Sequence, residues 1–220
     1  MITQLIIGFT AEGTTDCRFL ESIIQRTFEE VAFDCDGQID VLPVQFIRKG
    51  TGRFEDCMVE CAKKASNRGV MVFCIHTDAD DRSDEVAFKN RVLPAFEKIY
   101  QSPEDETCQN LIAIVPVQMI EAWMLADVEL IKGELNTTKS DKELGIERNP
   151  ESYADPKMIF KDVIRIAFED YAQRRKRPEI SEFYQLIGQK IALTSLEKLP
   201  SYIKFKNYVI EMFRKLNLLR

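Results

Sequence analysis

Apolar and polar residues along the first 131 positions are grouped in blocks that predict an α/β fold. Four short apolar runs alternate with stretches whose apolar residues recur at helical spacing, as in parallel sheets with crossover helices. The runs are Gln4–Phe9, Ile39–Ile47, Val70–His76 and Leu111–Val117. The third run is almost entirely apolar, which is typical of a strand buried between two helix layers. We therefore predict a three-layer, mostly parallel sheet of about four strands with helices on both faces.

The first predicted helix has a clear start signal, and the second strand contains a break. In the loop before the helix, Gly13 allows a turn, and Thr14 or Thr15 is a suitable N-cap. Pro43 indicates an edge strand or a bulge, because proline cannot donate to a strand ladder. The four helices are predicted to end near Ala32, to span Phe54–Asn67, to begin near Asp84, and to run from Met119 to about Ile131.

The rest of the chain is predicted to be helical after a polar interruption. Residues 132–155 are rich in turn formers and charges, which indicates a linker or mobile loop. Residues 156–220 then form a helical C-terminal extension that packs on the sheet domain of residues 1–131. Its helices are predicted at Pro156 to about Arg174, Ile180 to about Ile191, and Tyr202 to Leu218.

Charge is distributed unevenly between these two parts. The whole chain of 220 residues has a formal net charge of -6, which argues against a protein that coats nucleic acid by itself. Residues 157–220 hold 14 Lys and Arg against 7 Asp and Glu, whereas residues 1–156 hold 16 against 29. A basic tail beside an acidic half is compatible with a polyanionic substrate held by the tail. It is equally compatible with two halves that attract each other.

The sequence contains no signal for a membrane. No apolar run approaches the roughly 18 residues of a spanning helix. The N-terminal stretch MITQLIIGFTAEG lacks a basic segment, so it is interpreted as a first strand rather than a signal peptide. We expect a cytoplasmic protein without a membrane partner.

Acidic residues follow three of the predicted strands. Glu12 follows the first strand, Asp78 and Asp80 follow the third, and Glu121 follows the fourth. Parallel strands bring their carboxyl ends to one edge of the sheet, where ligands of open α/β sheets bind. Residues two apart in extended chain project to the same side, so Asp78 and Asp80 can face one Mg²⁺ or Mn²⁺ ion. The alternative is that this pair only caps the next helix.

Three further positions have both a functional and a structural interpretation. Asp16 is a possible metal ligand, or an acid favoured by the dipole of the first helix. Glu121, isolated in an apolar stretch, is a further ligand or a side chain that faces outward. His76, the only histidine, has the same parity as Asp78 and can donate to it as a supporting group behind the metal, or it is a satisfied strand histidine.

Two basic segments are candidates for phosphate contact. Arg48, Lys49 and Arg53 lie in a glycine-containing loop after the second strand, where they can bind phosphate or remain solvated. The run Arg174–Arg177 is more typical of a surface matched to the end of a helix dipole. The stretch Gly8–Thr15 has the placement of a P-loop but lacks its lysine, so an NTPase is not predicted.

The ordered motifs of the chain resemble the Toprim domain of topoisomerases, primases and overcoming-lysogenization-defect nucleases. The resemblance is carried by an EGTTD loop after the first strand and by the Asp78/Asp80 pair after a later one. A small Toprim-related bacterial family is more similar still, through AEGTTDCRFLE, RKGTGR, TDADDR, PVQMIEAWMLAD and LPSYIKFKNYV. The resemblance covers most of the chain and implies a Toprim/Rossmann-like fold.

The resemblance implies roles for three acids and two hypotheses of function. Glu12 would act as general acid or base, and Asp78 and Asp80 would hold Mg²⁺. The first hypothesis is a metal-dependent nuclease or phosphodiester-transfer enzyme that acts on DNA or RNA. The second is a non-catalytic or regulatory subunit that works with an SMC-like or ABC-type ATPase partner in genome maintenance or defence. A glycosyltransferase with an Asp-X-Asp motif is a third interpretation, which leaves Glu12 without a role.

Overall fold

Four parallel strands form the main sheet of the computed structural model, which describes residues 3–35, 37–169 and 177–219. In sheet order the strands are β4, β2, β5 and β6, and β1 pairs with β3 in a separate parallel ribbon. The strands are β1 Thr3–Leu5, β2 Ile7–Thr10, β3 Ile39–Val41, β4 Gln45–Phe46, β5 Val72–His76 and β6 Leu111–Ile114. The prediction of an α/β fold with a parallel sheet of about four strands is confirmed.

Each of the first two predicted strands is divided into two pieces. The first is interrupted at Ile6 between β1 and β2, and the second is interrupted around Pro43 between β3 and β4. Because Pro43 has no N–H, it cannot continue a ladder, and the chain resumes pairing at Gln45 opposite Gly8. The β4 strand lies at the edge of the main sheet, as the proline predicts.

Helices connect the strands and make up the C-terminal part. They are α1 Thr14–Phe33, α2 Phe54–Asn67, α3 Glu85–Ala87, α4 Leu93–Tyr100, α5 Glu121–Met124, α6 Val128–Leu135, α7 Asp141–Leu144, α8 Pro156–Ala167, α9 Phe183–Lys190, α10 Leu193–Leu196 and α11 Pro200–Lys215. A π-helical turn, Phe88–Val92, joins α3 to α4 into one continuous helix. Within the described ranges, no helix is both long and apolar enough to cross a lipid bilayer.

The sheet is covered by helices on both faces because successive side chains of a strand point to opposite sides. In β5, Val72 and Cys74 belong to one buried core, and Phe73 and Ile75 belong to another. The first core is shared with α1, α9 and α11, and the second with α2 and α4. The apolar character of β5 on both faces thus follows from its central position.

The strand order reverses at one point of the sheet, and in open α/β sheets such a reversal leaves a crevice at the carboxyl edge. Across the sheet the strands lie in the order β4, β2, β5 and β6, which are the second, first, third and fourth strands of this sheet along the chain. The connections after β2 therefore lead first to one side of it and then to the other, and the direction reverses between β2 and β5. Their register pairs Thr10 with Ile75, and β5 is in turn paired with β6 up to His76 and Ile114. In open α/β sheets, ligands bind outside the carboxyl ends of strands at such a reversal.

The chain between residues 119 and 155 differs from its predicted form. The helix predicted at Met119–Ile131 is two helices, α5 and α6, separated by Asp127, which caps α6 by accepting from the Leu130 N–H at 3.2 Å. Residues 132–155, interpreted as a linker or mobile loop, contain the end of α6, α7 and a 3₁₀ turn. They bury apolar side chains in the first core, namely Leu135, Leu144, Ile146 and Tyr153. These widely spaced apolar residues were obscured by the polar residues around them.

The C-terminal helices are part of the same core as the sheet. Aromatic rings of Tyr202 and Phe205 in α11 pack against Trp123, and α9 lies along α1. The helix predicted to reach Arg174 ends at Ala167, and the segment 170–176, with most of the basic run, lies outside the described residues. The division into a sheet domain and a helical subdomain remains a prediction.

Gly188 allows the close approach of α9 to α1. A Cβ atom at this position would lie 2.6 Å from the main-chain oxygen of Phe19. We expect Gly188→Ala to lower the free energy of unfolding by about 1–3 kcal/mol, because backbone must shift to admit the methyl group. Gly133→Ala is the matched control, since its Cβ meets no atom within 4 Å and alanine favours helix by about 1 kcal/mol. Equal urea midpoints for the two variants would contradict this account.

Candidate functional site

Glu12 lies immediately beyond the carboxyl end of β2, next to the segment that follows β5. The register of β2 and β5 places it opposite Thr77, whose hydroxyl donates to Glu12 Oε1 at 2.5 Å. The site is therefore assembled across the reversal of the strand order, as predicted from the strand ends. We call Glu12, Asp78 and Asp80 together the acidic edge.

Asp78 is the more enclosed of the two aspartates. Its side chain is 17% exposed, and its Oδ1 accepts from the main-chain N–H of Ile120 at 3.0 Å. His76 Nε2 lies 3.3 Å from the same oxygen, while His76 Nδ1 accepts from the Glu12 N–H at 3.5 Å. The buried histidine thus contacts both Glu12 and Asp78, and a supporting role behind a metal remains one of the two interpretations predicted for it.

The surroundings of His76 act on its charge in opposite directions. Burial is the largest influence and lowers the pKa of the ring. The Asp78 carboxylate, with smaller contributions from Asp16 and Glu12, outweighs burial, and the pKa is raised. This shift reports the concentration of negative charge at the strand ends.

Asp80 adopts a left-handed backbone conformation, with φ of 54°. Its N–H donates to the Gln118 carbonyl at 2.8 Å, and the Gln118 N–H donates to the Asp81 carbonyl at 2.9 Å. These reciprocal bonds fasten the loop after β5 to the loop after β6. Asp and Asn tolerate this conformation better than most residues, so position 80 has a backbone requirement as well as a charge.

The two aspartates do not have the extended geometry that was predicted for them. β5 ends at His76, and the left-handed turn at Asp80 changes the direction in which the chain proceeds. The Asp78 carboxylate contacts Ile120 and His76, whereas the Asp80 carboxylate is 65% exposed and contacts Arg91. The rule that residues two positions apart in an extended chain point to the same side therefore does not describe how the oxygens of these two aspartates are arranged.

Arg91 connects the members of the acidic edge. Its Nη1 lies 3.4 Å from Glu12 Oε1, and its Nη2 lies 3.2 Å from Asp80 Oδ2. Nη2 also donates to the main-chain oxygens of Asp78 and Ala79, at 2.7 Å and 3.3 Å. One guanidinium thus spans the ends of both strands.

The π-helical turn that carries Arg91 has a cause in the sequence. In a regular α-helix, Pro94 would have to donate to the carbonyl of Asn90, but it has no N–H and its ring would collide with that carbonyl. The helix widens by one residue instead, and the Leu93 N–H donates to the Phe88 carbonyl. Sequence reasoning missed Arg91. Pro94 inside a predicted helix was the available signal, because π turns often occur at functional sites.

Glu121 faces inward, beneath the C-terminal helices. Its side chain is 2% exposed; Tyr184 donates its hydroxyl to Oε1, and Lys157 Nζ lies 2.8 Å from the same oxygen. Partial burial opposes the charge of Lys157, but the contact with Glu121 outweighs it, and the lysine pKa is raised. Burial and then the hydrogen bond to Glu121 raise the pKa of Tyr184. The predicted alternatives of a ligand or an outward side chain give way to a buried carboxylate that pairs with a partly exposed lysine.

Asp16 caps the first helix. Its Oδ2 accepts from the Gly13 N–H at 2.8 Å, and its Oδ1 accepts from the Thr15 hydroxyl at 3.3 Å. Gly13 is the N-cap residue, so the cap is formed by Asp16 rather than by either threonine. Its charge also contributes, after larger influences, to the raised pKa values of Lys157 and Tyr184.

The basic loop after β4 lies next to β2 but is not joined to the acidic edge. Arg53 Nε donates to Asp56 at 2.9 Å, and the Arg48 carbonyl accepts from Lys64 at 3.4 Å. Among the described residues, the hydrogen bonds and ion pairs of the three acidic-edge carboxylates involve neither these arginines nor Lys49. A phosphate contact by this loop remains a prediction.

The oxygens at the acidic edge suit a divalent ion in kind. They comprise three carboxylates and two main-chain carbonyls, which are the hard donors preferred by Mg²⁺. In the part of the chain that the structure describes, no three His, Cys, Asp or Glu side chains are gathered closely enough to hold a metal. The donors thus fit the ion in chemical kind but are not gathered around one point, and Arg91 provides the positive charge at this place.

Comparison with protein-family models, curated proteins and solved structures gives no significant match to this chain.

The Tyr184 hydroxyl is expected to stabilise the fold by satisfying buried Glu121. Tyr184→Phe removes only this donor, so we expect the free energy of unfolding to fall by about 1–3 kcal/mol in urea denaturation. Tyr100→Phe is the control, because the Tyr100 ring is half exposed. If Tyr184→Phe left the urea midpoint unchanged, Lys157 alone would be sufficient to compensate the Glu121 carboxylate.

Proposed function

We propose that the protein is a Mg²⁺- or Mn²⁺-dependent phosphodiesterase of the Toprim type that acts on nucleic acid. The observation that carries the proposal is that one guanidinium, that of Arg91, contacts the Glu12 and Asp80 carboxylates and the main-chain oxygen of Asp78 at the reversal of the strand order. Ligands of open α/β sheets bind at this position. Fold alone does not imply activity, so the proposal rests on these side chains.

The resemblance to Toprim domains is consistent with this geometry. The residues that carry it, the EGTTD loop and the Asp78/Asp80 pair, form the contacts described above. The resemblance implies that Glu12 is the proton-transfer residue. Its Oε1 accepts from the Thr77 hydroxyl at 2.5 Å, which orients the carboxylate toward the ends of the strands.

Phosphodiester cleavage requires neutralised phosphate oxygens and a proton moved near the leaving or attacking oxygen. Asp78 and Asp80 would hold the divalent ion, which would supply the first requirement by neutralising charge on the phosphate oxygens. Glu12, which is partly exposed, supplies the second by holding or accepting a proton at the crevice. His76 orients Asp78 from the buried side, and Ile120 fixes the same carboxylate through its N–H.

The charge distribution is compatible with a polyanionic substrate. The acidic edge alone would repel nucleic acid, but the C-terminal part of the chain is basic, and Lys157 lies beside Glu121 near the same strand ends. Lys49 and its neighbours in the loop after β4 are proposed as further phosphate contacts.

Neutralising either aspartate is expected to remove cleavage without unfolding the protein. Asp78→Asn and Asp80→Asn should each lower Mn²⁺-dependent cleavage of plasmid DNA or single-stranded RNA on the order of a hundredfold or more. Asparagine at position 78 can still accept from the Ile120 N–H, and asparagine at 80 tolerates the left-handed backbone. Thermal melting should therefore remain close to that of the unmodified protein.

The matched control is Asp105→Asn, which makes the same charge change on an exposed residue before β6, at the opposite edge of the sheet. It should leave cleavage unchanged. Full activity in both Asp78→Asn and Asp80→Asn would end the nuclease proposal.

A non-catalytic subunit that works with an ATPase partner is the second candidate. This candidate is favoured because side chains of the chain itself already compensate the acids. Arg91 does so at the acidic edge, and Lys157 does so at Glu121. Calorimetric titration with millimolar Mg²⁺ or Mn²⁺ distinguishes the two functions. Absence of binding heat would favour the subunit, and saturable heat lost in Asp78→Asn would favour the enzyme.

A further inference from the structure

We infer that Arg91 is the internal counter-cation of the acidic edge, and that a divalent ion must displace its guanidinium to bind there. The inference rests on the proposed metal-dependent function and deepens it by naming the residue that sets the affinity for metal.

The first support is the number of oxygens that Arg91 contacts. Its two terminal nitrogens meet four oxygens: two carboxylate oxygens, from Glu12 and Asp80, and the main-chain oxygens of Asp78 and Ala79. All four are negatively charged or the negative end of a dipole, so together they stabilise the positive charge of the guanidinium. Its present role is to compensate the acids.

The second support is the kind of oxygen that surrounds the guanidinium. Carboxylates and main-chain carbonyls are the ligands that Mg²⁺ and Mn²⁺ take. The Asp80 carboxylate, which is one of the two proposed metal ligands, also contacts the guanidinium. A metal ion held there would lie close to a second positive charge, so binding of the ion and the present position of the guanidinium are strongly opposed.

The third support is accessibility. The Arg91 side chain is 29% exposed and the Asp80 side chain 65% exposed, so the guanidinium can leave without opening the core. The carboxylate that Lys157 contacts differs, because Glu121 is 2% exposed and also receives the Tyr184 hydroxyl. Of these two contacts, that of Arg91 with Asp80 is the one whose carboxylate a second cation can reach from solvent.

Removing the guanidinium should strengthen metal binding. We expect Arg91→Gln to bind Mn²⁺ on the order of tenfold more tightly than the unmodified protein in calorimetric titration, in the usual range for opposed ligands. Arg91→Met, which keeps an unbranched apolar stem, should behave alike if Arg91→Gln is poorly folded. Without metal, both variants should melt at lower temperature, because the acids lose their counter-charge, and Mn²⁺ should raise their melting temperature more than that of the unmodified protein.

Arg165→Gln is the matched control. Arg165 also pairs with two carboxylates. Asp162 in α8 lies at 3.2 Å, and Glu169, just after the end of α8, lies at 2.6 Å. Its removal should leave Mn²⁺ affinity and the Mn²⁺-dependent rise in melting temperature unchanged.

The outcomes separate this inference from the proposed function. Equal or weaker Mn²⁺ binding by Arg91→Gln, with binding lost in Asp78→Asn, would overturn the counter-cation role and leave the metal-dependent function standing. No binding by the unmodified protein, but binding by Arg91→Gln, would support the role in its strongest form. No binding by either protein would overturn both proposals.

Discussion

The parallel pairing of β2 with β5 is the constraint on which the candidate site depends. It joins residues more than 60 positions apart and sets Glu12 opposite Thr77, so the hydroxyl of one chain segment orients the carboxylate of another. The reversal of strand order at the same pair leaves the crevice between them uncovered by a crossover. A shift of register by one residue would direct the strand side chains into the wrong core and separate the acids.

The negative charges of the acids at this edge repel one another, and other side chains of the protein compensate them. One set of contacts is made with a buried carboxylate and the other with carboxylates that are more exposed. Lys157 and Tyr184 contact the buried Glu121 carboxylate, so this contact links α8 and α9 to α5. Arg91 contacts Glu12 and Asp80, whose carboxylates are more exposed, so this interaction is weaker and exchangeable. The contacts of Glu121 thus act on stability, and the contacts of Arg91 act on what can bind at the strand ends.

Local pattern predicted the parts of the site that depend on strand ends. The two-sided apolar character of β5 located the central strand, and Glu12 and Asp80, which follow β2 and β5, contact the same guanidinium. The extended geometry of the aspartates was wrong, because hydrogen bonds between Asp80, Asp81 and Gln118 impose a left-handed turn. Such bonds form between loops that are distant in sequence, and no local pattern reports them.

By itself, the sequence determined the α/β alternation, the central strand and the acids that follow it, because these depend on the spacing of neighbouring residues. Tertiary structure alone decided that Glu121 is buried under Lys157 and Tyr184 and that Arg91 bridges the acidic edge. An arginine on an amphipathic helix has the same local signal whether it faces water or a carboxylate. Its partner is chosen by the packing of that helix on the sheet, which places two remote segments within the reach of one side chain.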